Sequence, residues 1–318
     1  MQGYVIRRIL ALIPTLFFAS LIVFIIIRLM PGNIIDLMLT QNDVSASKQT
    51  REQLEAALGL DKPIYIQYFR WAGALVFQGS LGNSLWTSTP VMDDILHRLP
   101  VTFELGLMAL VFAMIVGIPV GVYAALRQDS MGDYALRTIS ILLLAIPGFW
   151  TGTLVMVFPA IWWGWSPSVK FIQFSQDPAG HLLQLLIPAI ILGKAFAAVI
   201  MRFTRTLMLE VLRQDYIRTA KAKGLATGTI VMRHALRNAL IPVVTVIGLQ
   251  APLLFSGAVI VEQIFVIPGM GLLLIEGVNS RDYPTIIGVT LVFGVAVMFI
   301  NLFVDLSYGW LDPKVRSR

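Results

Sequence analysis

Cysteine is absent from all 318 residues. That excludes disulfides, thiolate nucleophiles and cysteine-held metals. Histidine is scarce: His97, His181 and His234 lie far apart, and in the topology described below they fall on two sides of a membrane. No shared metal site is expected, and the zinc-protease pattern is missing. No Gly-x-Ser-x-Gly nucleophile elbow occurs. The one Gly-Lys pair, Gly193-Lys194, lacks the upstream glycine and the following Ser or Thr of a phosphate-binding loop, so ATP hydrolysis is not expected of this chain. Charge is scarce as well. Only 13% of residues are charged and 57% are hydrophobic, against about 25% charged in soluble domains. The formal net charge of +6 sits between apolar runs, which suits membrane topology rather than nucleic acid.

What is abundant is long apolar sequence. A span of the hydrocarbon layer needs about 20 helical residues. Helices are required because lipid offers the backbone no hydrogen-bond partner. Six spans are predicted near Ile9–Ile27, Val101–Leu126, Ile139–Trp163, Leu182–Ile200, Ala239–Val261 and Ile286–Leu306. The first is longer than a signal-peptide core and no small-x-small site stands before Arg28, so it reads as an uncleaved span. The chain is therefore expected to be an all-α membrane protein, one transmembrane domain over residues 1–318. An extracytoplasmic segment at 28–100 separates helices 1 and 2, and a basic cytoplasmic loop covers 202–238.

Orientation follows from Lys and Arg. With the N-terminus inside, the inner segments hold fifteen: Arg7, Arg8, Arg127, Arg137, Arg202, Arg205, Arg213, Arg218, Lys221, Lys223, Arg233, Arg237, Lys314, Arg316 and Arg318. The two short outer loops hold Lys170 and Arg281 alone. The bias predicts that both termini are cytoplasmic. Within 28–100, Gln49–Leu58 reads as a short helix.

Small residues recur at four-residue spacing, as in Gly117/Gly121, Gly148/Gly152 and Gly193/Ala197; close helix packing is the expected reason. Pro119, Pro147, Pro159 and Pro188 are candidate kinks or ends of helices. Lys194 is the one clear cation inside a span. Charge there is costly, so Lys194 either faces a polar interior as part of a translocation path or snorkels toward the interface. Glu104, Arg202 and Asp305 lie near span ends, where snorkelling is expected.

The basic loop contains Asp215-Tyr216-Ile217-Arg218-Thr219-Ala220-Lys221-Ala222-Lys223-Gly224. Asp215 can cap a short helix and Gly224 can stop it. Ile217, Ala220, Gly224 and Leu225 fall on one stripe. A second amphipathic run, Ile230–Asn238, leads to Pro242. Such a helix fits a groove on a partner or lies on anionic lipid; its pattern alone does not choose.

Asp215–Gly224 followed by Arg233-His234-Ala235-Leu236-Arg237-Asn238-Ala239-Leu240-Ile241-Pro242-Val243-Val244 resembles the signature loop of ATP-binding-cassette (ABC) importer permeases. The resemblance is to the dipeptide, oligopeptide and nickel transport family, in its first-permease branch, and runs over nearly the whole chain. It takes in Arg7-Arg8, Pro31-Gly32, Leu58-Gly59-Leu60-Asp61-Lys62-Pro63 and Gly117-Ile118-Pro119-Val120-Gly121. It continues through Thr245–Gln250, Glu262, Pro268-Gly269-Met270-Gly271, Arg281-Asp282-Tyr283-Pro284 and Asp312-Pro313. Two departures stand out: Arg218-Thr219-Ala220 replaces the Glu-Ala-Ala of the general motif, and Asn33 follows Pro31-Gly32 where Asp is common.

The resemblance implies the MetI-like ABC permease core. It implies that Asp215–Gly224 docks into a cleft on cytoplasmic ATPase subunits, which carry the ATP and Mg, while this chain has no cofactor and no catalytic residue. It further implies a second homologous permease subunit and an extracytoplasmic binding protein that delivers solute. The solutes open on this reading are peptides, nickel chelates, opines and oligosaccharides. The rival from another class, an ion-coupled secondary transporter, lacks the paired intramembrane charges expected of it. An intramembrane enzyme lacks any placed nucleophile or metal cluster.

Overall fold

A computed structural model describes residues 2–29, 61–168 and 170–311. The helices are α1 (Gln2–Arg28), α2 (Ile64–Gln78), α3 (Val91–Leu126), α4 (Met131–Ala145), α5 (Gly148–Trp163), α6 (Pro178–Leu212) and α7 (Asp215–Ala222). They continue with α8 (Thr227–Gln250), α9 (Pro252–Phe265), α10 (Met270–Ser280) and α11 (Tyr283–Leu311). Among the described residues the only β feature is a lone bridge between Asn83 and Pro90, so the all-α expectation holds. The expected helix at Gln49–Leu58 lies outside the described residues.

Five helices are long and apolar enough to cross a membrane: Leu10–Arg28, α3, α6, α8 and Tyr283–Val304. Two further candidates are broken pairs, α4 with α5 and α9 with α10. The six expected spans therefore need two corrections. Ile139–Trp163 is not one helix. Pro147 cannot continue a helical ladder and pushes the residue before it out of helical conformation. Ile146 is extended (φ −80°, ψ 115°), and α4 and α5 meet at 90°. Likewise Ala239–Val261 straddles a break at Ala251, because Pro252 has no N–H to give and opens α9 instead.

Helices α3 and α6 have 36 and 35 residues, about 50 Å of rise each, against a hydrocarbon layer of about 30 Å. They project beyond it. Segment 202–238 consequently begins as the last turns of α6, goes on through α7 and ends within α8.

The chain forms two compact units. The first comprises residues 1–5, 101–272 and 299–318. Its core joins Leu105 and Ala109 of α3 to Leu185, Ala189 and Leu192 of α6 and to Leu254, Ala258, Val261 and Phe265 of α9. Glycines set how closely α3 and α6 approach. A Cβ on Gly117 would lie 2.7 Å from the carbonyl oxygen of Ala197, and one on Gly121 would lie 2.7 Å from that of Met201. Gly193 faces the Ala109 carbonyl in return. Backbones thus touch where lipid-soluble helices have no hydrophobic force to join them. In the Gly148/Gly152 pair only Gly152 meets a neighbouring helix, a Cβ there lying 3.2 Å from Ile264 Cδ1, whereas nothing stands within 4 Å of one on Gly148.

The second unit comprises residues 6–100 and 273–298. Here α2 lies along α1 through Phe24, Tyr68 and Trp71, with Ser20 Oγ 3.0 Å from Tyr68 OH. Buried Asp282 accepts from Ser84 Oγ (2.6 Å), Leu85 N (3.2 Å) and Thr285 Oγ1 (2.9 Å). This gives the Arg281-Asp282-Tyr283-Pro284 match a physical role: it starts α11 and clasps the 84–86 turn.

Candidate functional site

Helix α7 is eight residues long, too short to be stable by itself in water. It persists because two residues are anchored. Ile217 is fully buried and Ala220 nearly so. They pack with Ala125 at the end of α3, Met208 of α6, and Ile230, Val231, Ala235 and Ala239 of α8. Burying the isoleucine alone contributes about 1.5–3 kcal/mol. Asn238 Nδ2 donates to Tyr216 OH at 2.9 Å, tying α7 to α8 a second time. Residues Ile230–Leu236 of α8 are π-helical. The wider turn changes which side chains face inward, a device found often at functional sites.

The expected cap is corrected: Gln214 holds the N-cap position, without a side-chain cap bond, and Asp215 is the first helical residue. Its carboxylate reaches Arg218 at 3.4 Å, both side chains exposed, a contact of little energy in water. The expected stop is observed. Gly224 has φ +77°, the left-handed conformation that glycine adopts without cost. Leu225 N closes the end on Ala220 O at 3.3 Å.

The apolar stripe divides. Ile217 and Ala220 face the chain's own core, whereas Gly224 and Leu225 are exposed. With them on the outside are Asp215, Tyr216, Arg218, Thr219, Lys221, Ala222 and Lys223, and exposure is unbroken from Lys221 to Thr229. The result is a rigidly founded knob with a basic outer surface.

Lys194 lies deep in α6, 7% exposed. Its ammonium donates to Ile146 O at 3.1 Å and to Thr151 Oγ1. The acceptors are the carbonyl left free where α4 ends and a hydroxyl in the first turn of α5. The Ile146–Pro147 elbow therefore holds this charge.

Three buried polar assemblies escaped sequence reasoning. Asp133, fully buried, receives Arg205 Nε at 2.7 Å and Nη2 at 2.6 Å; the one hint was its place behind Ser130, whose side chain caps α4. His181 Nδ1 lies 2.7 Å from Ile172 O and Nε2 2.9 Å from Glu104 Oε2, so Glu104 is paired rather than snorkelling alone. Glu262, fully buried, accepts from Thr102 Oγ1 (2.6 Å), Gly271 N (2.7 Å) and Leu272 N (3.0 Å), while Met270 N donates to Thr102 Oγ1 at 2.8 Å. Pro268-Gly269-Met270-Gly271 leaves room for that carboxylate, since a Cβ on Gly271 would lie 2.9 Å from Glu262 Oε2.

Apolar helices in this number, with two further candidate spans broken and a basic knob founded on the helix ends, define a polytopic membrane protein. The chain belongs to the family of binding-protein-dependent transport system inner membrane components, matched over residues 117–317, with that family's N-terminal component matched over residues 1–106. It is 40% identical to the di/tripeptide transport system permease protein DppB of Pseudomonas aeruginosa (strain UCBPP-PA14), over all of both chains. It is 39% identical to the oligopeptide transport system permease protein AppB of Bacillus subtilis (strain 168), over 99% of each. With the dipeptide transport system permease protein DppB of Escherichia coli (strain K12) it shares 37% over all of both. The fold is shared with a chain of the MetNI methionine ABC transporter in inward-facing conformations: TM-score 0.56, 18% identity, 70% of this chain and 97% of that one.

Proposed function

We propose that this chain forms half of the pathway of an ATP-driven importer of peptides, with α7 and Gly224 as its contact to the motor. The observation that carries the proposal is the knob: its apolar residues are anchored within the chain, and a continuous exposed surface is left for a partner. ATP and Mg belong on separate cytoplasmic ATPase subunits, since the chain has no phosphate-binding loop. A second homologous permease completes the pathway and an extracytoplasmic binding protein delivers the solute. Both termini are cytoplasmic, as the Lys and Arg asymmetry supports. Peptides are favoured as cargo because the full-length relatives above are named for di-, tri- and oligopeptide transport. The ion-coupled alternative is disfavoured by Lys194. Broken helices in such carriers offer free carbonyls to a coupling cation; here the ammonium of Lys194 already sits on Ile146 O.

The test compares Gly224→Trp with Gly224→Asn in the assembled transporter. Asparagine tolerates the left-handed conformation, so it preserves the helix stop. Tryptophan adds bulk where nothing stands within 4 Å of a Cβ. Expected is uptake with Asn, and with Trp both loss of uptake and loss of ATPase co-purification at normal membrane levels. Normal uptake with Trp would favour a helix resting on lipid.

A further inference from the structure

Lys194 and Arg205 lie eleven residues apart on α6. At 3.6 residues per turn that is three turns, so both emerge on one stripe. Each holds α4 at a different end. Arg205 grips Asp133 in the first turn of α4 with two bonds, at 2.7 and 2.6 Å. Lys194 bonds the carbonyl of Ile146, immediately after α4 ends at Ala145, and reaches across the break to Thr151 of α5. The charges complement the α4 macrodipole: an acid at the positive end, an ammonium at the negative end. The remaining length of α6 runs on to Leu212. Its Met208 packs against Ile217 of α7, and only Arg213 and Gln214 separate the two helices.

We propose that Lys194 and Arg205 are positioning residues that clamp α4 to α6 at both ends, so that the pair moves as one lever carrying displacement of α7 to the Ile146–Pro147 elbow. α4 also packs along α6, and non-directional packing resists separation more than it resists pivoting or sliding. Two attachments, about 16 Å apart at 1.5 Å per residue, prevent both pivoting and sliding. Glycine contacts hold α6 to α3 by backbone approach, whereas the charges make α4 follow α6 by directed bonds. The device rests on the reading of α7 as the motor contact.

Because the chain has no cysteine, spin labels attach within it only where cysteines are introduced, and partner subunits are used with any cysteines of their own replaced. Ile141→Cys on α4 and Phe203→Cys on α6 sit at exposed positions. In the complete transporter with its ATPases and binding protein, in lipid nanodiscs, the inter-label distance is expected to be the same without nucleotide and with ATP trapped. A distance that changes between the states overturns the clamp. In a second arm, Lys194→Met and Arg205→Met are compared with Lys194→Arg, which keeps charge and donors. For the Met variants, peptide imported per ATP hydrolysed should fall about fivefold or more, the lower end of usual coupling. ATP hydrolysis should persist, and relative uptake of acidic, neutral and basic peptides should not change. Lys194→Arg should restore the ratio. An unchanged ratio, or altered preference among the peptides, overturns the proposal, the latter by putting Lys194 in the path. If the Met variants do not assemble, the label distance decides. Normal uptake and ATPase co-purification with Gly224→Trp sinks the motor-contact reading; a wild type that transports while its labels move sinks only the clamp.

Discussion

At the scale of single residues, the chain holds its buried charges by supplying each with donors or acceptors from another element. Glu262 is the clearest instance: one carboxylate oxygen takes the Thr102 hydroxyl and the other takes two backbone N–H groups at the start of α10. An acid there also favours the positive end of that helix. Glu262→Gln removes the charge, and with its amide nitrogen turned to Thr102 it leaves that hydroxyl's proton without its acceptor; an unmet buried donor costs about 1–3 kcal/mol. The variant is expected to lower the thermal unfolding midpoint of the detergent-solubilised protein. Thr102→Ser, which retains the hydroxyl, should leave the midpoint near wild type; equal midpoints for Glu262→Gln and wild type would show that the carboxylate is not needed. Glu262 was visible in the sequence as part of a family match, and Lys194 as a lone intramembrane cation. Their partners were not, because Thr102 lies 160 positions from Glu262 and Ile146 lies 48 from Lys194.

At the scale of elements, hydropathy located the apolar segments, while proline chemistry decided which of them are single helices. Pro147 and Pro252 break the ladder; Pro188 lies inside α6 without ending it. At the Pro147 break the Ile146 carbonyl takes the Lys194 ammonium, and nothing in the local pattern around Pro147 announces it. The glycine spacing was more legible, since Gly117 and Gly121 do face α6. Gly117→Leu is expected to force α3 away from α6, because the new side chain would meet the Ala197 backbone and Ile200, and a main-chain clash is not relieved by a rotamer change. Reduced membrane levels or rapid proteolysis of this variant would agree; a normal level with normal uptake would mean that the helices do not approach as closely as described.

At the scale of the whole molecule, orientation in the membrane comes from charge outside the spans. Lys170 is exposed in the loop between α5 and α6, and Lys223 is exposed at the end of α7. In a chain without cysteine, Lys170→Cys should react with an impermeant thiol reagent in intact cells, and Lys223→Cys only after permeabilisation. Labelling of Lys223→Cys from outside would invert the topology. Arg281 is a poorer probe, being half-buried in a left-handed conformation.

By itself the sequence determined the class of protein, its apolar segments and the basic helix with its glycine stop, since hydropathy, helix periodicity and the conformational freedom of glycine are local properties. Tertiary structure alone decided that Ile217 and Ala220 face inward, that α4 and α5 turn at 90°, and that Arg205 finds Asp133 while Lys194 finds Ile146. Those choices depend on how helices distant in sequence align side by side. A one-residue change in that register swings a side chain by about 100° around its helix, so no short stretch of sequence encodes them.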